Sequence, residues 1–116
     1  MKTHDVIVIG SGVAGINSAV YAASEGLSTL VIGKQFGGQI YSSAAVENLF
    51  SYPKISGKNL IHRAYRQALK FGAEFIEAEI SELGKQSNNI FYIGDTKGNI
   101  IAFGKSIILA LGLQYK

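Results

Sequence analysis

Apolar residues gather in three short runs, Val6-Ile7-Val8-Ile9, Ser28-Thr29-Leu30-Val31-Ile32 and Ile107-Ile108-Leu109-Ala110-Leu111. Runs of this kind read as strands of a parallel sheet buried on both faces. Between the first two, Val13, Ile16, Val20 and Ala23 recur at helical spacing. This predicts a helix over Val13–Ser24 that turns those four residues toward the sheet, with Gly26 as its C-cap. Strand, helix and strand make one βαβ unit, and a right-handed crossover sets Ser28–Ile32 parallel to Val6–Ile9.

A second helix is predicted over Gly57–Phe71, with Ser56 as N-cap, Leu60, Ile61, Ala64, Ala68 and Phe71 as its apolar stripe, and Gly72 closing it. Lys58, His62, Arg66 and Lys70 recur every four residues on the other face, which reads as a solvated surface, with an anion-binding stripe as the rival. Ala73–Ala78 is a third strand. Glu79–Leu83, Asn89–Ile93 and Asn99–Phe103 read as a small antiparallel meander, with Gly94-Asp95-Thr96-Lys97-Gly98 as the turn between its last two strands. Lys34–Pro53 shows no periodicity, contains Gly37-Gly38, and is long for an ordinary connection, as ligand-binding loops often are.

The first apolar run breaks directly into Gly10-Ser11-Gly12-Val13-Ala14-Gly15 and then into the helix. This is the strand, tight turn and helix start that a dinucleotide's pyrophosphate requires. The first glycine makes the turn, the second lets backbone N–H groups approach phosphate, and the third lets the helix pack closely on the strand. The helix N-terminus then faces the anion. A glycine turn used only for packing is the plainer alternative.

Composition narrows the field further. The 116 residues suit a single domain over 1–116, and 47% hydrophobic against 16% charged residues excludes a disordered chain. The net charge of +3 is scattered along the sequence, which argues against a nucleic-acid surface. With no cysteine, the 116 residues hold no disulfide or thiol redox centre, and two histidines, His4 and His62, predict no metal site. The uncharged stretch Val6–Ser24 contains Gly10, Ser11, Gly12, Gly15, Asn17 and Ser18, which favours a strand-turn-helix over a membrane span. The N-terminus shows no signal-peptide pattern, so a cytoplasmic location is expected.

Further phrases carry a resemblance: Gly37-Gly38-Gln39, Val46-Glu47-Asn48, Arg63-Ala64-Tyr65-Arg66-Gln67-Ala68, Lys70-Phe71-Gly72-Ala73-Glu74 and Ala110-Leu111-Gly112. In this order the chain resembles, over essentially its whole length, the N-terminal FAD-binding segment of the thioredoxin-reductase-like pyridine nucleotide-disulfide oxidoreductases. The resemblance implies an α/β fold: a doubly wound parallel sheet interrupted by a three-stranded antiparallel β-meander, holding FAD in extended form. It implies that Gly10, Ser11, Gly12, Val13, Ala14 and Gly15 cradle the pyrophosphate, and that Ile32, Gly33 and Lys34 lie near the adenosine ribose. Gly38, Gln39 and Ile40 would follow the ribityl chain, and Asn48 would hydrogen-bond the flavin ring. Glu79 and Ile80 would meet adenine through their backbone, and Ala110 and Gly112 would close over the cofactor. No side chain of the segment is expected to act as acid, base or nucleophile.

The chain also departs from that pattern. Gly33-Lys34 offers no carboxylate at the end of the second strand, where related folds bind ribose hydroxyls, so ribose binding is expected to rest on backbone groups. Leu111 stands where the family commonly has threonine. In the complete enzymes the chain continues into an NADPH domain bearing the Cys-x-x-Cys and returns with a further strand, neither of which is among these 116 residues. A bare edge is therefore expected at Ile107–Leu111, with homodimerisation across it. A non-catalytic nucleotide-binding module and a small NAD-dependent dehydrogenase domain are the alternatives.

Overall fold

The computed structural model describes residues 1–34 and 57–111. The elements run β1 (Thr3–Ile9), α1 (Val13–Ser24), β2 (Thr29–Gly33), α2 (Gly57–Lys70), β3 (Glu74–Glu77), β4 (Ile80–Lys85), β5 (Phe91–Asp95) and β6 (Ile100–Leu109). All six strands join one sheet in the order β3-β2-β1-β6-β5-β4. β3, β2, β1 and β6 are parallel neighbours, while β6, β5 and β4 pair antiparallel.

Local patterning separates the third meander strand, Asn99–Phe103, from a closing apolar strand, Ile107–Leu111, but the two merge into the single ten-residue strand β6, which ends at Leu109. Its first half pairs with β5 from Ile100 to Gly104, and its second half pairs with β1 from Phe103 to Leu109. Gly104-Lys105-Ser106 looks like a break in the sequence but is held straight from outside. The Ile7 side chain lies against Gly104, where a Cβ would stand 2.7 Å from Ile7 Cδ1, and Ser106 Oγ donates to the Asp5 carbonyl at 2.8 Å. Gly94 and Asp95 likewise belong to β5 rather than to the turn. Asp95 Oδ1 organises that turn by accepting from the amides of Lys97 and Asn99.

Alternation along β1 divides the core in two. Val6 and Val8 pack with Ile16, Ala19 and Ala23 of α1, Ile61 and Ala68 of α2, and Val31, which puts both described helices over one face. Ile7 and Ile9 pack with Leu30, Ile32, Ile93 and Ala102, so strands of the meander help close the other. Of the predicted helical stripes, Val13 at the start of α1 and Phe71 just past α2 are exposed. Each sits at a helix end, where the stripe has run beyond the sheet. His62, Arg66 and Lys70 are exposed, as the solvated reading expects.

Both helices end on a glycine at positive φ, Gly26 and Gly72. The amides of Gly26 and Leu27 bond back to Ala23 and Ala22, and those of Gly72 and Ala73 to Leu69 and Ala68, closing both helices in the same way. Among the described residues no helix is long and apolar enough to cross a membrane.

Candidate functional site

The order of the parallel strands locates the site. From β1 the chain moves outward to β2 and β3, then returns through the meander to lie on the other side of β1 as β6. The carboxyl ends of β1 and β6 therefore flank a topological switch point, where open α/β sheets bind their ligands. Gly10-Ser11-Gly12 and Ala110-Leu111 follow directly from those two ends, Lys34 follows β2, and Ala78-Glu79 follows β3.

Backbone contacts lock these segments together. The Gly10 amide donates to the Ile32 carbonyl at 2.8 Å, the Ala110 amide to the Ile9 carbonyl at 2.8 Å, and the Ala78 amide to the Gly33 carbonyl at 3.0 Å. Three glycines make this approach possible. Gly10, at φ +117°, has the Ala110 carbonyl where a Cβ would stand. At Gly15 the same space is taken by the Gly10 carbonyl, so α1 rests on the turn itself, the close helix packing assigned to the third glycine. At Gly33 the space belongs to the Ser11 side chain, which is buried. The family resemblance implies a place for Gly33 near the ribose; that it also seats Ser11 depends on a contact 22 positions away, and no local pattern signals it.

α1 begins at this turn with Gly12 as N-cap and no side-chain cap, and its first turn contains no acidic residue. The Ile16 amide is the first to bond back within the helix, to the Gly12 carbonyl. The amides of Val13, Ala14 and Gly15 have no carbonyl within the helix to receive them. Val13 and Ala14 are exposed. Three such N–H groups, together with a helix dipole equivalent to roughly half a positive charge, suit an anion. These residues fit the diphosphate of a dinucleotide cofactor.

Ile32 is fully buried in the sheet and contributes position rather than surface. Lys34 is exposed and pairs with Glu79, Nζ to Oε1 at 3.5 Å. The Glu79 carbonyl accepts from the Thr96 amide at 3.1 Å, and Ile80 opens β4, partly buried against the second core cluster. Thus Gly10, Ser11, Gly12, Val13, Ala14, Gly15, Gly33, Lys34, Glu79, Ile80 and Ala110 all lie along one end of the parallel sheet. Gly38, Gln39, Ile40, Asn48 and Gly112, with the Glu47 beside Asn48 and the Ser56 N-cap, lie outside the described residues.

The groups whose pKa is displaced lie away from this end. Burial holds His4 below its ordinary value, against the opposing pull of Glu74. The Ser28 amide, donating at 2.8 Å, holds the Asp5 carboxyl below the usual carboxylate range. On the meander, the Glu82 carboxylate accepts from the Tyr92 hydroxyl at 3.0 Å and raises the phenol's pKa.

Comparison with known proteins agrees with this geometry. The chain is 36% identical over 118 residues to thioredoxin reductase of Bacillus subtilis (strain 168), covering 99% of this chain and 36% of that protein. It is 36% identical over 115 residues to thioredoxin reductase of Treponema pallidum (strain Nichols), covering 97% and 36%. The chain thus spans about a third of the length of these relatives. Among solved structures, the atypical thioredoxin reductase TRi from Desulfovibrio vulgaris Hildenborough superposes with a TM-score of 0.86 at 33% identity, over 98% of this chain and 38% of that one. Lactococcus lactis thioredoxin reductase gives 0.87 at 28% identity, over 98% and 37%. The sequence profile of the FAD binding domain matches residues 5–90. With that match covering most of the chain, the protein belongs to the FAD binding domain family, and FAD is its cofactor.

Proposed function

We propose that the chain holds FAD extended along the carboxyl ends of β2, β1 and β6, as the flavin-binding part of a thioredoxin-reductase-like oxidoreductase. The pyrophosphate lies on the amides of Gly12, Val13, Ala14 and Gly15, with Gly10 and Ser11 shaping the turn beneath it. The adenosine extends toward Ile32, Gly33 and Lys34 and meets the backbone of Glu79 and Ile80. Ala110 and Gly112 close the opposite side, while Gly38, Gln39, Ile40 and Asn48 serve the ribityl chain and flavin ring. The observation that carries this reading is the uncapped, acid-free start of α1, set by Gly10 and Gly15 at the switch point of the sheet.

When bound, the flavin supplies the redox chemistry, and this chain's residues bind and orient it. In a complete enzyme of this kind a hydride passes from NADPH to FAD and on to a disulfide or another acceptor. The 116 residues contain no cysteine, so any thiol that relays those electrons belongs elsewhere. The matched family favours FAD over the NAD-dependent alternative. A cytoplasmic setting suits this chemistry. The test is an absorbance spectrum of the protein after FAD is added and the excess removed. A retained flavin band in one-to-one ratio supports the reading, and a colourless protein overturns it.

The reading extends to a second copy of the chain. β5 pairs with β6 only as far as Gly104, and among the described residues no strand covers Lys105–Leu109 on the side away from β1. Ile108 and Leu109 are exposed there. Such an edge pairs readily with another strand, and two copies joined across it form a homodimer. Light scattering that finds only monomer at high concentration, together with core-like amide protection over Ile107–Leu109, would sink this extension.

A further inference from the structure

At the adenosine end of the site, the residue after β2 is a cation, Lys34, where a ribose-binding fold commonly places a carboxylate. The structure brings a carboxylate to the same place from another element. β3 pairs with β2 so that Glu77 lies beside Gly33, and the Ala78 amide bonds to the Gly33 carbonyl at 3.0 Å. The chain past β3 is thereby tied to the end of β2. The next residue is Glu79, whose Oε1 stands 3.5 Å from Lys34 Nζ. Its backbone carbonyl is already engaged by the Thr96 amide. Besides its backbone N–H, the side chain is what Glu79 has left to offer a ligand.

The geometry points to the Glu79 carboxylate as the group that accepts a hydrogen bond from the 2′-hydroxyl of the adenosine ribose, held in position by Lys34. This rests on the extended FAD reading above and assigns a side chain where the sequence suggested backbone groups alone. A carboxylate only accepts hydrogen bonds, and a ribose hydroxyl needs an acceptor for its proton. Lys34 satisfies one carboxylate oxygen, leaving lone pairs on the other for the sugar. The pairing also neutralises Lys34, which would otherwise favour a ligand bearing a 2′-phosphate. Glu77 is the nearest rival, but alternation along β3 puts it on the helix-covered side with Phe75. Glu79 is the one paired to the end of β2.

The test compares binding of FAD and of its 2′-deoxyadenosine analogue to the unmodified chain, Glu79→Gln, Glu77→Gln and Lys34→Met, followed by flavin fluorescence. The unmodified chain should bind FAD about tenfold more tightly than the analogue, as a hydrogen bond to a charged acceptor implies. In Glu79→Gln that preference should fall to about twofold because FAD binding weakens while analogue binding holds. Lys34→Met should reduce the preference partway, and Glu77→Gln should leave it intact. Equal weakening of both ligands in Glu79→Gln, transfer of the effect to Glu77→Gln, or no preference in the unmodified chain would overturn the proposal while leaving the FAD reading standing. Tighter binding of a 2′-phosphorylated dinucleotide than of FAD would also overturn it. Failure of the unmodified chain to bind FAD removes the underlying reading and this proposal with it.

Discussion

The two ends of the parallel sheet solve the same problem, how to finish four strands side by side, in opposite ways. At the amino end, side chains tie the strands together. His4 Nδ1 and Ser28 Oγ lie 3.0 Å apart, Asp5 accepts from the Ser28 amide and pairs with Lys105, and Lys2 pairs with Glu74. The helix-closing Gly26 and Gly72 at that end have open space where a side chain would go. At the carboxyl end, backbone packs on backbone: Gly10 against Ala110, Gly15 against Gly10, with Gly33 seating Ser11. An end held by side chains spends its polar groups on itself. An end held by glycine contacts leaves the first amides of α1 facing outward, and that is where an anion can bind.

Glycine substitutions separate the two ends most sharply. Gly15→Val drives a side chain into the Gly10 carbonyl, and because that neighbour is backbone it cannot swing away. A loss of about 3 kcal/mol in denaturant unfolding is expected, the upper part of the range for overpacking, together with loss of FAD retention. Gly26→Ala meets only the conformational penalty at φ +85°. It should cost about 1–2 kcal/mol and leave flavin binding unchanged. Equal effects on FAD retention from the two variants would erase the distinction.

Ile7→Ala probes the core that both ends share. Ile7 is fully buried between Ile9, Leu30 and the Gly104 face of β6. Truncation should cost about 2–5 kcal/mol in denaturant unfolding. A smaller loss would mean that β6 is not held straight by this contact.

Acidification should act at the amino end. The His4 pKa is lowered by folding, so the unfolded chain binds more protons in the window below 6.5. The stabilisation from neutral His4 is complete above 6.5 and is lost as pH falls from there through the folded-state value. Asp5, also lowered, adds a second loss of the same sign below 3.8. Unfolding followed across pH should show the first decline in the unmodified chain and a flatter profile in His4→Gln. A stability that rises on acidification below 6.5 would reverse the assignment. The smallest effect belongs to the surface pair of Lys105 and Asp5: Lys105→Ala should shift the unfolding midpoint least of these variants, and that difference should shrink further in high salt.

The comparison also explains what the sequence could show. The Val/Ile runs, the glycine turn and the closing glycines of both helices act over a few residues, and each is found where local patterning puts it. The continuity of β6 through Gly104 depends on Ile7 and Asp5, about a hundred positions earlier, so local patterning shows two strands where the fold has one. Val13 and Phe71 fit a helical period, yet tertiary geometry leaves them beyond the sheet. The meeting of Lys34 with Glu79 depends on β3 lying beside β2, a consequence of topology. The glycine turn and the helix start after it are therefore legible locally, whereas the contacts that bring Gly33, Ser11 and Glu79 to one edge are not.

The central claim is that the outward-facing amides at the start of α1 hold the cofactor's diphosphate. Amide chemical shifts followed by NMR during an FAD titration test it directly. The account predicts large shifts for Gly12, Val13, Ala14 and Gly15, accompanied by Gly33, Lys34 and Ala110, with His4, Ser28 and Glu74 unmoved. Saturating FAD that shifts the amino-end residues instead, or leaves the amides of Gly12–Gly15 in place, would contradict it.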